Sequence, residues 1–201
     1  MDGGRVNQKR RTRNAIVAAA VELVRGGGPV TMPEVAKAAA VSEATAYRYF
    51  PDLASLLREA VAGNLFDPAE VLAPLADCAD PVARVAAAAE HLLRHVLAHE
   101  SAVRAMIAAT ITRPADTTAR PGLRFGLIDE ALAPPADLGG LDAPAVAQLK
   151  RDLAVVMSAE ALFGLTDLHR LPHDEAVRSL VRTATTLTKA ALGGGRPGDP
   201  R

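Results

Sequence analysis

Two neighbouring side chains in the first quarter of the chain, Tyr47 and Arg48, have the chemistry of nucleic-acid contacts. A tyrosine hydroxyl can hydrogen-bond to a phosphate oxygen or to a base edge. An arginine can donate two parallel hydrogen bonds to O6 and N7 of a guanine. For Tyr47, and also for Tyr49, the alternative is that the aromatic ring packs in a hydrophobic core. Their role therefore depends on the elements that position them.

Two short, capped helices are predicted around these side chains. Thr31 and Glu34 have the S/T-x-x-E spacing of a capping box, which begins a first helix. A second helix begins at Ser42, whose hydroxyl can accept a hydrogen bond from the backbone of Thr45, and Pro51 ends it. Two short helices joined by a tight turn form a helix-turn-helix, whose second helix is shaped to enter the major groove of DNA.

The second helix has two chemically different faces. Ala46 and Phe50 are four residues apart, so both side chains point to the same side. The opposite side carries Glu43, Ala44, Tyr47 and Arg48. The first face is predicted to pack on the preceding helix and the second to face the DNA.

Positive charge is concentrated around this motif, although the whole chain is neutral. Residues 1–50 contain eight Lys and Arg and four Asp and Glu, a net charge of +4. Residues 51–201 contain the remaining fifteen Lys and Arg and nineteen Asp and Glu, a net charge of −4. We expect the basic run before the first supporting helix to contact phosphates; the alternative is a solvated tail. Thr31 and Ser42 lie at helix N-termini, which attract phosphate. The predicted DNA-binding set is Lys9, Arg10, Arg11, Arg13, Thr31, Ser42, Glu43, Ala44, Thr45, Tyr47, Arg48 and Tyr49.

The stretch VSEATAYRYFPD, residues 41–52, resembles the recognition helix of the TetR/AcrR family of transcriptional regulators. A Val-Ser start, a Tyr three residues before a Phe, and a helix after the following Pro are typical of that family. The resemblance implies a dimer that joins through its last two helices and binds a near-palindromic operator. It also implies a repressor that a small-molecule effector releases from DNA, and a cytoplasmic location.

The motif departs from the family pattern at four positions. Glycine is common where Ala40 stands, because the turn favours a positive φ, so alanine there costs on the order of 1 kcal/mol. Leucine is common at Ala46, a basic residue at Glu43, and lysine directly after the proline, where Asp52 stands. We therefore expect weaker nonspecific affinity for DNA and sharper sequence choice. An alternative function is a helical small-molecule-binding protein with weak or lost operator binding.

The fold class predicted is all-α, with a helix-turn-helix domain over residues 1–50 and a helical regulatory and dimerisation domain over residues 51–192. Residues 1–8 and the tail 193–201 are predicted to be disordered. The predicted helices of the second domain begin near Leu53, Pro81, Ser101, residue 122, Ala145 and Asp174, with loops at 113–121 and 134–144. The helix from Ala145 is predicted to continue to His169, and the last one to end at Leu192.

Large, adaptable or charged side chains of the second domain are candidates for effector binding; ordinary core packing is the alternative for the apolar ones. Glu160 stands among apolar neighbours, where it could contact a cationic ligand or pair with an arginine. The candidate ligand-binding set is His95, Met106, Phe125, Met157, Glu160 and Phe163. His91, His95 and His99 recur every four residues, but no firm further ligand accompanies them, so we expect no metal and no cofactor.

Several classes of protein are not expected. The chain has no Gly-rich phosphate loop after a strand and no Ser/His/Asp pattern, so we expect no enzymatic activity. No stretch approaches the roughly 20 apolar residues of a membrane span. The single cysteine, Cys78, excludes an internal disulfide and fits a reducing cytosol.

Overall fold

The computed structural model describes residues 3–26, 30–62, 66–112 and 122–194. These residues are all-helical and contain no strand, which confirms the predicted fold class. The α-helices are α1 Gly3–Arg25, α2 Met32–Ala38, α3 Glu43–Tyr49, α4 Leu53–Ala62, α5 Pro68–Leu72, α6 Pro81–Ala98, α7 Glu100–Thr112, α8 Leu123–Ala131, α9 Ala143–Val156, α10 Ala159–Phe163 and α11 His173–Gly194. A 3₁₀ turn follows α5 at Ala73–Leu75, and a π-helical segment follows α10 at Gly164–Leu168.

The described residues divide into two compact units. The first contains α1 to α4 together with α7, and the second contains α5, α6 and α8 to α11. In the first unit α4 packs against both α1 and α7, so this unit extends past residue 50. The functional division at residue 50 stays a prediction.

The core of the first unit is built from helical repeats of apolar residues. Ile16, Ala20 and Val24 are spaced four apart on α1, and all three are buried. The other helices each contribute buried residues to the same cluster: Met32, Val35 and Ala36 from α2, Ala46 and Phe50 from α3 and its end, Leu56, Leu57 and Ala60 from α4, and Ala102 and Met106 from α7. This core fixes the helix-turn-helix, α2 and α3, against three further helices, α1, α4 and α7.

The second unit has its own core, in which one charged side chain is buried. The apolar part comes from α5, α6, α8, α9 and α11 and includes Leu72, Val85, Leu92, Leu127, Leu149, Leu153 and Ala184. Arg84 is only 1% exposed and donates hydrogen bonds to the backbone carbonyls of Leu75 (2.6 Å), Glu130 (2.7 Å) and Ala131 (3.1 Å). Two of these carbonyls lie at the C-terminal end of α8, where the last carbonyls of a helix have no donor within the helix. Arg84 therefore joins α6 to the end of α8 and to the 3₁₀ turn.

A second arginine of α6 bridges helices at the surface. Arg94 pairs with Glu90 (2.9 Å) on its own helix and with Asp174 (3.1 Å) on α11. The hydrogen bonds that Arg94 donates to Glu90 and then to Asp174 raise the pKa of Arg94 above its ordinary value. Because the guanidinium is exposed, this bridge orients side chains and adds little stability.

The N-terminus differs from the prediction. Residues 3–8 were expected to be disordered, but they form the first turns of α1, while residues 1 and 2 lie outside the described part. No proline interrupts residues 3–25, and the turns of α1 held by the core give the residues before them a helix to extend. The loop 113–121 and residues 195–201 of the predicted disordered tail also lie outside the described part; residues 193 and 194 end α11.

Two further helix boundaries were wrong. Ser101 was expected to cap a helix, but α7 already begins at Glu100, and the buried Ser101 hydroxyl has no hydrogen-bond partner in the described structure. The single helix expected from Ala145 to His169 is interrupted at Ser158, which has an extended backbone (φ −142°, ψ 153°). Its hydroxyl accepts from the N–H of Ala161 (3.1 Å) and donates to the carbonyl of Val155 (2.8 Å). Serine side chains that bond the local backbone in this way compete with helix continuation.

None of the helices in the described residues is both long enough and apolar enough to cross a membrane.

Candidate nucleic-acid interface

The supporting helix α2 is capped as its sequence predicts. The Thr31 N–H donates to the Glu34 carboxylate (3.1 Å), and the Glu34 N–H donates to the Thr31 hydroxyl (3.4 Å). This reciprocal pair is the capping box. Pro33 occupies the first turn of α2, where the backbone N–H that proline lacks would have no acceptor within the helix. The start of α2 is therefore fixed by bonds within four residues of sequence.

The turn between α2 and α3 requires a left-handed residue, and Ala40 supplies it. Its φ is +54°, the region that favours glycine. The Ala40 N–H donates to the Lys37 carbonyl (3.2 Å) and the Val41 N–H to the Ala36 carbonyl (3.0 Å). These two bonds are the Schellman pattern of a helix C-terminus. The geometry expected at Ala40 is thus present, with alanine in a glycine conformation.

The predicted recognition helix α3 is seven residues long and held at both ends. The Ser42 hydroxyl accepts from the Thr45 N–H (3.2 Å) at its start, and the Phe50 N–H donates to the Ala46 carbonyl (2.9 Å) at its end. Ala46 is completely buried and Phe50 is 2% exposed. A helix this short depends on such caps and on one buried face.

The face of α3 opposite Ala46 is open to solvent, as the helical spacing predicted. Tyr47 is 48% exposed, and Glu43, Ala44 and Arg48 are exposed as well. The packing alternative raised for the two tyrosines applies to Tyr49, which is half-buried against the core of the first unit. The Arg48 guanidinium carbon lies 5.6 Å from the centre of the Tyr49 ring, close enough for a cation–π contact. Tyr49 can therefore support Arg48 while Tyr47 points outward.

The basic run of α1 does not behave as one group. Lys9, Arg10 and Arg11 are exposed, and Arg10 donates to the amide oxygen of Asn7 (3.3 Å). Arg13 instead forms an ion pair with Glu59 of α4. Three of the four cations are thus free of carboxylate partners within the described residues.

Two residues around the motif, Lys37 and Asp52, were not among the predicted site residues. Lys37 is exposed in the last turn of α2, and the first helix of a helix-turn-helix crosses the DNA backbone. The sequence signal for a phosphate contact by Lys37 is a basic residue on the polar side of α2. Asp52 accepts a hydrogen bond from the Ser55 N–H (2.7 Å) and so caps α4.

The candidate ligand-binding residues are divided between the two units. Met106 lies in the core of the first unit, whereas the other five belong to the second. Met157 is 1% exposed and Phe163 is 8% exposed. Their burial favours the alternative that these side chains pack in the core.

The polar candidates of the second unit lie in two small clusters. Glu160 pairs with Arg124 (3.5 Å), whose guanidinium carbon lies 5.1 Å from the centre of the Phe125 ring. The rings of His91 and His95 are nearly parallel, with their centroids 6.4 Å apart. The Phe66 ring contacts both of them edge-on. In the described part of the chain no three His, Cys, Asp or Glu residues are grouped as metal ligands would be.

Comparison with known proteins identifies the helical motif. Residues 16–60 match the family model described as bacterial regulatory proteins, tetR family. The fold matches that of a TetR transcriptional regulator from Rhodococcus sp. RHA1, with 22% sequence identity, a TM-score of 0.53, and coverage of 89% of this chain and 97% of that chain. No curated protein matches the chain.

Proposed function

We propose that this chain, which belongs to the TetR family of DNA-binding regulators, acts as a dimeric repressor that a small molecule releases from a near-palindromic operator. The observation that carries the proposal is the exposed face of α3. Tyr47 and Arg48 stand out from a helix whose opposite side is locked into the core by Ala46 and Phe50.

We assign base reading mainly to Arg48 and Tyr47. Arg48 can form two hydrogen bonds to a guanine, and the Tyr47 hydroxyl can reach a base edge or a phosphate. Thr45 can add a hydroxyl or methyl contact, and Ala44 leaves room for a base to approach. Glu43 can accept a hydrogen bond from cytosine N4, but its carboxylate repels phosphates.

Phosphate contacts are assigned to two kinds of group. The N-termini of α2 and α3, at Thr31 and Ser42, present backbone N–H groups with a favourable dipole. Exposed cations supply the rest: Lys9, Arg10, Arg11 and Lys37. Because Glu43 and Asp52 replace basic residues, the slope of log K against log salt should be shallower than the roughly −9 that ten phosphate contacts would give.

The dimer would present two copies of α3 to successive turns of the major groove. Their separation should be about one helical turn, roughly 34–36 Å, so the operator should be a near-palindrome. The predicted interface uses the last part of the chain, which the structure builds from α9, α10 and α11. Such a protein works where its operator is, in the cytoplasm.

Release by an effector follows from linkage. A ligand that binds better when the two recognition helices are wrongly spaced must weaken DNA binding by the same factor. The Arg124, Phe125 and Glu160 cluster is our candidate contact, since it combines an aromatic ring with both charges. Glu160→Gln should reduce the response to the effector; an unchanged response would remove Glu160 from the site.

The alternative, a small-molecule-binding protein without operator activity, is favoured by one observation. Glu43 places an exposed carboxylate on the face that would meet DNA. The two functions differ in whether the protein selects a DNA sequence.

Selection of duplexes from a random pool tests the proposal. The purified protein should enrich a near-palindromic sequence, and Arg48→Gln should abolish that enrichment while the variant remains folded. Lys150→Gln is a matched control that removes a cation from the second unit, where it pairs with Asp129 (2.7 Å). Failure of the unaltered protein to enrich any sequence would favour the small-molecule-binding alternative.

A further inference from the structure

We propose that Arg13 positions the recognition helix instead of contacting DNA phosphate, so that it sets sequence specificity through Glu59 and Phe50. The inference rests on the proposed function, because it concerns how the same DNA-reading face is held. It separates Arg13 from the neighbouring cations of the basic run.

The guanidinium of Arg13 is committed to a carboxylate 46 residues away in sequence. Its two terminal nitrogens donate to the two carboxylate oxygens of Glu59, which is the fork geometry that gives arginine pairs their directional strength. The two side chains are 46% and 34% exposed, so the pair lies at the edge of the packed helices α1 and α4.

The same guanidinium also covers the residue that ends the recognition helix. Its carbon lies 4.9 Å from the centre of the Phe50 ring. Phe50 is 2% exposed, and its N–H closes α3 by donating to the carbonyl of Ala46. One side chain of α1 therefore links α4 to the end of α3 through a bidentate pair and a cation–π contact.

This arrangement opposes a phosphate role for Arg13. The ion pair of Arg13 and Glu59 has no net charge, so it adds no net attraction for DNA. A phosphate that bound Arg13 would have to displace the Glu59 carboxylate, which would remain nearby as an unpaired negative charge. Arg11, two residues earlier, is exposed and has no carboxylate partner within the described residues. The two arginines thus make a matched pair for experiment.

The first test measures the salt dependence of binding to the enriched duplex and to a scrambled duplex of equal length. Arg11→Gln should weaken binding to both duplexes and make the slope of log K against log salt shallower by about 0.9 for each phosphate that it no longer neutralises. Arg13→Gln should leave the slope unchanged and lower the affinity for the enriched duplex about three- to tenfold, because a misplaced α3 no longer reaches its bases. A shallower slope for Arg13→Gln, with parallel weakening on both duplexes, would overturn the inference.

Glu59→Gln distinguishes the two roles by the sign of its effect. If Arg13 positions α3, removing the carboxylate charge lowers the ratio of enriched to scrambled affinity about three- to tenfold. If Arg13 contacts phosphate, freeing it from Glu59 strengthens binding to both duplexes, steepens the slope and leaves that ratio unchanged.

Arg13→Lys provides a second variant in case Arg13→Gln unfolds. Lysine retains the charge but lacks the fork, so a positioning role predicts that it fails to restore the affinity ratio, whereas a phosphate role predicts near-normal binding. Far-UV circular dichroism checks that each variant is folded. If the unaltered protein enriches no sequence, the proposed function fails; if it does and these variants behave as phosphate contacts, only the inference about Arg13 fails.

Discussion

Ala40 shows how a single residue type affects the stability of the whole motif. It holds φ at +54°, where a Cβ is strained and glycine is not. We expect Ala40→Gly to raise the free energy of unfolding of the first unit by roughly 0.5–1 kcal/mol, the strain relief being partly offset by the greater freedom of glycine in the unfolded chain. Thermal and urea unfolding followed by circular dichroism would measure the change.

Ala38→Gly is the control for that substitution. Ala38 is exposed at the end of α2 in ordinary helical conformation, so glycine there should destabilise by about 1 kcal/mol. Equal effects of the two substitutions would contradict a left-handed strain at Ala40.

Arg84 is a buried charged residue of the second unit, and its guanidinium bonds three backbone carbonyls. Removing its guanidinium would leave the Ala131 carbonyl without the donor it now has, and would leave the carbonyls of Leu75 and Glu130 with backbone N–H donors, Cys78 (3.1 Å) and Ala133 (3.3 Å). We expect Arg84→Met to lower the free energy of unfolding by about 1–3 kcal/mol, the cost of leaving a buried acceptor without its hydrogen-bond donor. Denaturant unfolding of the purified variant would measure the decrease.

Arg94→Met provides the comparison on the same helix. Its guanidinium is exposed and pairs with surface carboxylates, so the decrease in stability should be much smaller than for Arg84→Met. A similar decrease for both variants would show that the carbonyls around Arg84 find other donors.

At the scale of an element, α3 is too short to be stable by itself. Its start depends on the Ser42 hydroxyl, which accepts from the Thr45 N–H and lies 2.9 Å from the Thr45 hydroxyl. Ser42→Ala should cost about 1 kcal/mol, whereas Ser42→Gly should cost only a few tenths, because glycine at this position leaves the N–H groups accessible to water. Unfolding curves of the two variants, measured side by side, test this order; alanine being the milder change would disprove a capping role.

The element scale also explains why α9 stops. The sequence around Ser158 continues the apolar period of a helix, yet the serine hydroxyl bonds the backbone on both sides of the break. The result is a new start at α10 followed by the π-helical segment Gly164–Leu168. Periodicity alone therefore predicted one helix where local hydrogen bonding produces several segments.

At the scale of the whole molecule, the proposed dimer places demands on the last helices. Val155 on α9 is 70% exposed, so its side chain is available for contact with a second chain. We expect Val155→Glu to weaken dimerisation at least about tenfold, since it would put an uncompensated charge into an apolar interface. Light scattering coupled to size-exclusion chromatography would follow the change in mass across a concentration series.

Val6→Glu is the matched control for the dimer. Val6 is 63% exposed on α1, far along the sequence from the predicted interface, and its substitution should leave the mass unchanged. If Val155→Glu also leaves a dimer intact, Val155 lies outside the interface, and if the unaltered protein is a monomer the proposed dimer is excluded.

The helix-turn-helix could be predicted in detail because the bonds that define it are local. The capping box of Thr31 and Glu34 and the cap at Ser42 each join residues three apart, so residue types and spacing determine them. The positive φ at Ala40 follows in the same way from a turn that ends one helix just before the next begins. The exposed position of Tyr47 follows from the helical spacing that buries Ala46 and Phe50.

Only the tertiary structure decided which cations face solvent and which are used internally. Arg13 belongs to the same basic run as Arg11, yet packing of α1 on α4 brings it to Glu59. Arg84 looks like any surface arginine in the sequence, and its three carbonyls come from two other segments. Met106 shares the chemistry of the other ligand candidates but packs in the first unit. The partners of Arg13 and Arg84 lie nine to 47 residues away in sequence, so they are set by helix packing, which no local pattern of residues encodes.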